Sequence, residues 1–240
     1  MRTGVSAEDI LPAERLEGVD VVVPVLNVRE MLPRFLDRVN SLGLPLHLIF
    51  VDNGSVDGTL KFLAARPEIT VIAHGRNLGY GRSLADGLSA SQADRVIIID
   101  ADGEYPPEAI PLLLKGLEKA SVVYASRFLA GGKIDMSHTR AWGNRCLTGL
   151  FNLLYGQRLT DLYSGMKALR RPAFQGLSFK RSGFDQVVEL AAKVSRREIQ
   201  IAEVPVAYTP RHTGRSKMKH VPELLKAVYC LMAFRMAPNE

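Results

Sequence analysis

Along this chain, apolar and polar residues follow two periods. Short apolar runs at 19–25, 46–51, 70–73, 96–99 and 121–126 are bounded by Gly, Asp, Asn or Ser, which predicts buried strands. Between them, 30–42, 58–65, 82–90 and 107–120 are predicted to be helices. Strand alternating with helix is βαβ logic, so the fold class is α/β, with a mostly parallel central sheet flanked by helices. The C-terminal half follows the longer period. Leu147, Leu150, Phe151 and Leu154 fall at helical spacing within 140–156, with Asn144, Arg145, Thr148 and Asn152 on other faces. A second amphipathic helix is predicted over 221–236 from the stripe Val221, Leu224, Leu225, Val228 and Met232. These patterns divide the chain into an extension (1–18), one large α/β domain (19–220) and a C-terminal amphipathic helix (221–240).

Composition narrows the class. At 47% hydrophobic residues over 240 positions the chain is globular and not disordered. A net charge of +6 and a pI near 9.4 favour an anionic partner: a nucleotide, a phospholipid surface or a nucleic acid. No nucleic-acid reader motif is present and the basic residues are dispersed except at 211–220, which argues against nucleic acid. Only Cys146 and Cys230 occur, without metal-type spacing or a secretory pattern, so a cytoplasmic protein with reduced thiols is expected. No run reaches the roughly 20 apolar residues that span a bilayer. The two amphipathic helices either pack on the sheet or lie on a membrane surface. The basic stretch before the second favours the membrane, and Trp142 serves either as an interfacial anchor or as core.

The richest chemistry is Val-Ile-Ile-Ile-Asp-Ala-Asp-Gly-Glu at 96–104, a buried strand ending in three acids where α/β sheets keep their active sites. If the chain stays extended, Asp100, Asp102 and Glu104 share one side. Carboxylates so crowded want a cation, and oxygen-only ligands suit Mg²⁺ or Mn²⁺, which complete their shells with phosphates and water. A solvated acidic turn is the plainer reading of Asp-x-Asp alone. Asp52 ends another strand beside free backbone N–H groups, where a base or ribose can be held, and Asp57 is read as a helix cap. The turn at 77–81, Asn-Leu-Gly-Tyr-Gly, permits close backbone approach to a ligand but lacks the third glycine of a dinucleotide fingerprint.

Pro24 and Asn27 after the first strand, Asp52 to Thr59 after the second and Asp100 to Glu108 after the fourth together resemble family 2 glycosyltransferases of the GT-A nucleotide-diphospho-sugar transferase fold. So do Ser126-Arg127-Phe128, the segment Asp161-Leu162-Tyr163-Ser164-Gly165, and Glu203-Val204-Pro205 with Tyr208, Arg211, Gly214, Ser216 and Lys217. The chain is most similar to polyprenyl-phosphate glycosyltransferases of the dolichol-phosphate mannose synthase type, over about 19–219. The resemblance implies that Pro24, Asn27, Asp52, Asp100 and Ala101 bind the donor, and that Asp102 and Glu104 hold Mg²⁺ or Mn²⁺. It further implies that Asp102, Arg127 and Arg211 are catalytic, and that Arg140, Ser164 and Lys217 meet the acceptor or its phosphate. Two departures stand out: Val28 follows Asn27 where members often carry Glu, and Glu104 stands where they often carry Gln.

The expected activity is metal-dependent, inverting transfer of a sugar from a nucleoside-diphosphate sugar to dolichyl or undecaprenyl phosphate, peripherally at the inner membrane face. A phosphate monoester with a second pKa of about 6 is already charged at neutral pH and needs no strong base. A hydroxyl acceptor would need one, and Asp161 or Asp185 are the candidates. The other alternative is a nucleotide-sugar binding protein without turnover. Self-association is compatible with either.

Overall fold

The computed structural model describes residues 18–131, 138–183, 185–209 and 220–236, with side chains described except at 138–140 and 220–225. The predicted extension lies almost wholly outside these residues.

Seven strands form one sheet in the order β3-β2-β1-β4-β6-β5-β7. They are β1 (Val19–Val25), β2 (Leu46–Asp52), β3 (Thr70–Ala73), β4 (Arg95–Ile98), β5 (Val122–Ser126), β6 (Lys167–Arg170) and β7 (Ile201–Pro205). All pairings are parallel except those of β6, which runs antiparallel between β4 and β5. The expected mostly parallel sheet is therefore present.

Because successive strand residues point to opposite faces, β1 feeds two cores. Val19, Val21, Val23 and Val25 join one cluster and Val22 joins the other. The first face is covered by α1 (Leu32–Asn40), α2 (Thr59–Ala64) and α4 (Ile110–Gly116), through Leu32, Phe35, Leu63, Leu113 and Leu114. The opposite face carries α3 (Tyr80–Ala90), α5 (His138–Tyr155), α6 (Arg171–Phe174), α7 (Gln186–Arg196) and α8 (His220–Met236). No described helix is long and apolar enough to cross a membrane.

Two helices depart from their predicted faces. On α5, Leu147 and Phe151 are buried as expected, but Asn144 and Thr148 are buried too, because they hold a polar group described below. On α8 the buried positions are Ala227, Cys230, Leu231 and Phe234, whereas Val228 is half-buried and Met232 exposed. The predicted stripe is thus rotated: α8 is apolar on both sides, so apolar spacing alone could not tell inside from outside. Val221, Leu224 and Leu225 lie where side chains are not described.

Candidate active site

β2 and β4 flank β1, so the strand order reverses at β1 and the crevice of an open α/β sheet opens there, beyond the carboxyl ends of the strands. Pairing of β4 with β1 ends at the bond from Ile99 N to Val22 O (3.2 Å). Pro24, two residues on, has no N–H to extend the ladder, although it stays in register with Val51 of β2. The strands part at this point.

One wall is built from the loops after β1, β2 and β3. Asn27, at φ 56°, is a clasp: its N–H donates to Ser55 Oγ (2.9 Å) and its Oδ1 accepts from Val56 N (2.9 Å). Val28 N donates to Thr59 Oγ1, and Arg29 N to Asp57 Oδ2; burial works to raise the Asp57 pKa, but the bonds from Thr59 and Arg29 outweigh it and lower it from the usual carboxylate value. Asp57 also accepts from Thr59 N at the start of α2, although the N-cap position predicted for it is taken by Gly58. Asp52 is fully buried; its Oδ2 accepts from Ser55 N (3.0 Å), while Oδ1 is buried with no hydrogen-bond partner among the described residues. Such an orphaned acceptor costs stability unless a ligand or water completes it.

Next to it, Asn53 takes His74 Nδ1 (3.1 Å) and Leu78 N (2.8 Å) on its carbonyl and donates to Asn77 Oδ1 (3.0 Å). The glycine-rich turn at 77–81 permits close backbone approach, and at Gly79 and Gly81 the chain itself makes use of it. Gly81 N donates to Ser182 O (2.7 Å), and a Cβ on Gly79, at φ +95°, would lie 2.2 Å from that oxygen. The small residues admit another stretch of this chain's own backbone.

The opposite wall is the acidic turn after β4. The chain does not stay extended there: Gly103 has φ 78° and Asp102 Oδ1 accepts from Glu104 N (2.9 Å), so the three carboxylates do not line one strand face as predicted. Asp102 is buried, while Asp100 and Glu104 are partly exposed. Ala101 is buried and puts its methyl group in the core. Among the described residues no three His, Cys, Asp or Glu side chains converge as a ready-made metal site. Gly165 closes over this turn, since a Cβ there would meet Tyr105 Cε2 at 2.9 Å and Asp100 Oδ2 at 3.3 Å.

The floor is a buried polar network. Arg127, following β5, grips Asp161 with two parallel bonds (Nε to Oδ2, 2.7 Å; Nη2 to Oδ1, 2.8 Å), and Asn144 of α5 adds a third (2.7 Å). Thr148 steadies Asn144 at 3.3 Å and accepts from Leu162 N. Glu203 of β7 accepts from Thr160 N, Thr160 Oγ1 and Asp161 N (2.7–2.9 Å); burial nevertheless raises its pKa above the usual carboxylate value. Arg127 remains a cation: burial opposes its charge, but the bonds to Asp161 outweigh it and hold the pKa above the ordinary guanidinium value. Tyr208 lies 5.3 Å beneath that guanidinium and edge-on to Tyr105. Lys167, fully buried at the start of β6, donates to Ser164 O; burial brings its pKa down to about 8, partly offset by Asp100 and Asp161.

Of the residues singled out in the sequence, Pro24, Asn27, Asp52, Asp100, Ala101, Asp102, Glu104 and Arg127 come from strand ends or loops at this one edge of the sheet. Ser164, expected among the phosphate contacts, is fully buried with its hydroxyl bonded to Met166 O and N, so it shapes the turn instead. Arg211 and Lys217 lie outside the described residues, and Arg140 is described only as backbone of α5. Tyr105, Asn144 and Lys167 were not singled out for the site. Tyr105 is next to the acidic motif, but nothing local marks Asn144 as the partner of an acid 17 residues away.

A protein-family model described as Glycosyl transferase family 2 matches residues 20–177. A dolichol-phosphate mannosyltransferase of Pyrococcus furiosus is 28% identical over 225 residues, which cover 89% of this chain and 63% of that protein. This chain thus spans less than two thirds of that relative's length. An undecaprenyl-phosphate 4-deoxy-4-formamido-L-arabinose transferase of Proteus mirabilis is 31% identical, covering 91% of this chain and 68% of its own. Among solved structures, glucosyl-3-phosphoglycerate synthase from Mycobacterium tuberculosis, in complex with Mn²⁺, uridine diphosphate and phosphoglyceric acid, shares the fold. Its TM-score is 0.75 at 20% identity, over 99% of this chain and 85% of that one.

Proposed function

Because the chain belongs to glycosyl transferase family 2, we propose that it moves a sugar, with inversion, from a nucleoside-diphosphate sugar to dolichyl or undecaprenyl phosphate, at the cytoplasmic face of a membrane and with a divalent metal. The observation that carries this reading is the crevice where the β1 and β4 ends part, with the acidic β4 turn on one wall and the orphaned Asp52 carboxylate on the other. The similarity to polyprenyl-phosphate sugar transferases supports the acceptor class.

Asp102 and Glu104 would hold Mg²⁺ or Mn²⁺. The fit lies in the donor set: hard cations use one or two carboxylates and fill the shell with substrate phosphates, and the turn offers two, the buried Asp102 and the partly exposed Glu104. When bound, such an ion supplies Lewis-acid stabilisation of the leaving diphosphate. Asp52 Oδ1 accepts a hydrogen bond from the base or ribose, with Pro24 and Asn27 shaping that wall and Asp100 and Ala101 the other. Arg127 keeps its charge while its guanidinium donates to Asp161 and Tyr163 O, so it adds positive potential beside the developing anion without leaving its pair. Arg211, Arg140 and Lys217 complete the phosphate contacts.

A hydroxyl acceptor would need a free carboxylate base. Asp161 is taken up by Arg127 and Asn144, and Asp185, at the start of α7, is paired with Arg181. A phosphate acceptor needs no base, so the lipid route is favoured. The exposed apolar side chains of α5 and α8 support attachment at a membrane surface.

The test is transfer of radiolabel from a panel of nucleotide sugars to polyprenyl phosphates in detergent. Chloroform-soluble label that vanishes with EDTA is expected. Nucleotide binding without lipid-linked product would replace the acceptor by a hydroxyl compound or leave a non-catalytic binder.

A further inference from the structure

His74, the residue after β3, stands behind the Asp52 wall with its side chain buried. Its ring lies between two oxygens: Nδ1 is 3.1 Å from Asn53 Oδ1, and Nε2 is 2.9 Å from Asp86 Oδ2 of α3. A neutral imidazole has one N–H and one bare nitrogen, so it donates to only one of two acceptors. The doubly protonated ring donates to both.

The surrounding hydrogen bonds show that both facing atoms are acceptors. At Asn53, Oδ1 takes Leu78 N (2.8 Å) and Nδ2 donates to Asn77 Oδ1 (3.0 Å), which itself takes Gly79 N (2.9 Å). Backbone N–H groups thus fix the orientation of both amides: turning Asn53 over would set its NH₂ against Leu78 N, and turning Asn77 over would set its NH₂ against Gly79 N. At Asp86, Oδ2 also takes Arg82 Nε (2.8 Å). Neither facing oxygen has a proton to give the ring.

What the ring holds borders the crevice. Asn53 follows Asp52, and its N–H reaches back to Val25 O at the end of β1 (2.9 Å), while His74 N donates to Asp52 O (2.8 Å). Gly54 packs so closely on the loop after His74 that a Cβ there would lie 2.5 Å from Arg76 C. The stretch that carries the orphaned Asp52 Oδ1 is therefore braced, through Asn53, by His74 and Asp86. The charged groups around the ring are Asp86 and Arg82 on α3, Asp52 on β2 and the exposed Arg76 on its own loop.

We propose that His74 is a positioning residue for the donor nucleoside: its doubly protonated ring clamps Asn53 to α3, and nucleotide affinity follows the ring's second proton. The inference rests on the reading of Asp52 as a nucleoside contact. Loss of either ring proton leaves a bare nitrogen against an oxygen, and the clamp opens at one end. Binding is therefore stronger below the ring's titration and weaker above it.

The experiment follows two quantities across about pH 5 to 9: nitrogen-15 spectra of the His74 ring in the free protein, and calorimetric affinity for uridine and guanosine diphosphate with Mg²⁺. For the nucleotide that binds, affinity should fall about fivefold as the ring passes from two protonated nitrogens to one. Asp86→Asn removes the facing charge but keeps an acceptor oxygen, so it should move both midpoints to lower pH together. His74→Gln should bind about fivefold more weakly than wild type at acid pH and lack the step; pH dependence that remains in it belongs to the nucleotide phosphates and other groups. Affinity that passes unchanged through the ring's titration overturns the proposal, as does a ring with one bare nitrogen where binding is at full strength. A binding midpoint that stays in place in Asp86→Asn while the ring's midpoint moves overturns it too. If neither nucleotide binds the wild type, the donor reading falls and the positioning role with it, whereas nucleotide binding without the coupling removes the positioning role alone.

Discussion

At the residue scale, the reading of Arg127 changes most between sequence and structure. The motif Ser126-Arg127-Phe128 marks the residue, but not its partner 34 positions on. With Asp161 fully buried, removing that acid would strand a guanidinium in the interior, and breaking such a pair costs about 3–5 kcal/mol. Asp161→Asn should therefore lower the unfolding free energy, read from urea melts, by that much, whereas loss of activity at full stability would make Asp161 a base and not a strut. Lys167 gives a pH signature. Its folded pKa, about 8, is below the unfolded value, so between roughly pH 8 and 10 the unfolded state binds the extra proton and stability rises with pH. Above that, buried Tyr105 and Tyr124, whose pKa values burial raises, act in the opposite sense. Lys167→Met should remove a rise on the order of 2 kcal/mol, read from urea melts across that window.

At the scale of elements, the βαβ half was legible because each strand is a Val- and Ile-rich run ending in Asp or a turn residue. The antiparallel β6 was not: Lys167–Arg170 carries two cations in four residues, and only pairing with β4 and β5 makes it a strand. Nor was α7, whose buried positions include Gln186, Glu189 and Lys193, polar residues that pattern reading assigns to solvent. The glycine turn before α3 was visible, but its purpose was not, because the backbone it admits lies about 100 residues away in sequence. Gly79→Ala combines a positive φ with contact at 2.2 Å to Ser182 O. It should cost about 2–4 kcal/mol and loosen the 180–183 loop, seen as faster amide exchange there. An unaltered melt would mean that the loop is not anchored on α3.

At the scale of the whole molecule, the two sheet faces differ in what they expose. The α1, α2 and α4 side carries ordinary charged surface, while α5 and α8 present Trp142, Leu153, Tyr229 and Met236 to solvent. Binding to anionic vesicles should fall as salt rises toward 1 M, where screening shortens to about 3 Å, leaving the apolar part of the attachment. The same sheet brings Asp52, Asp102 and Arg127 to one edge, which the sequence order of the motifs foreshadowed and the β1–β4 split explains. The measurement that tests this most directly is the rate of sugar transfer to polyprenyl phosphate by wild type and by Asp102→Ala over a range of Mn²⁺ concentrations. The wild type should be saturable by Mn²⁺ and silenced by EDTA, and the variant slower by about a thousandfold or more at every concentration, as expected when a transition-state charge loses its support. Undiminished transfer by Asp102→Ala would contradict the assignment of the β4 turn as the place where the diphosphate is held.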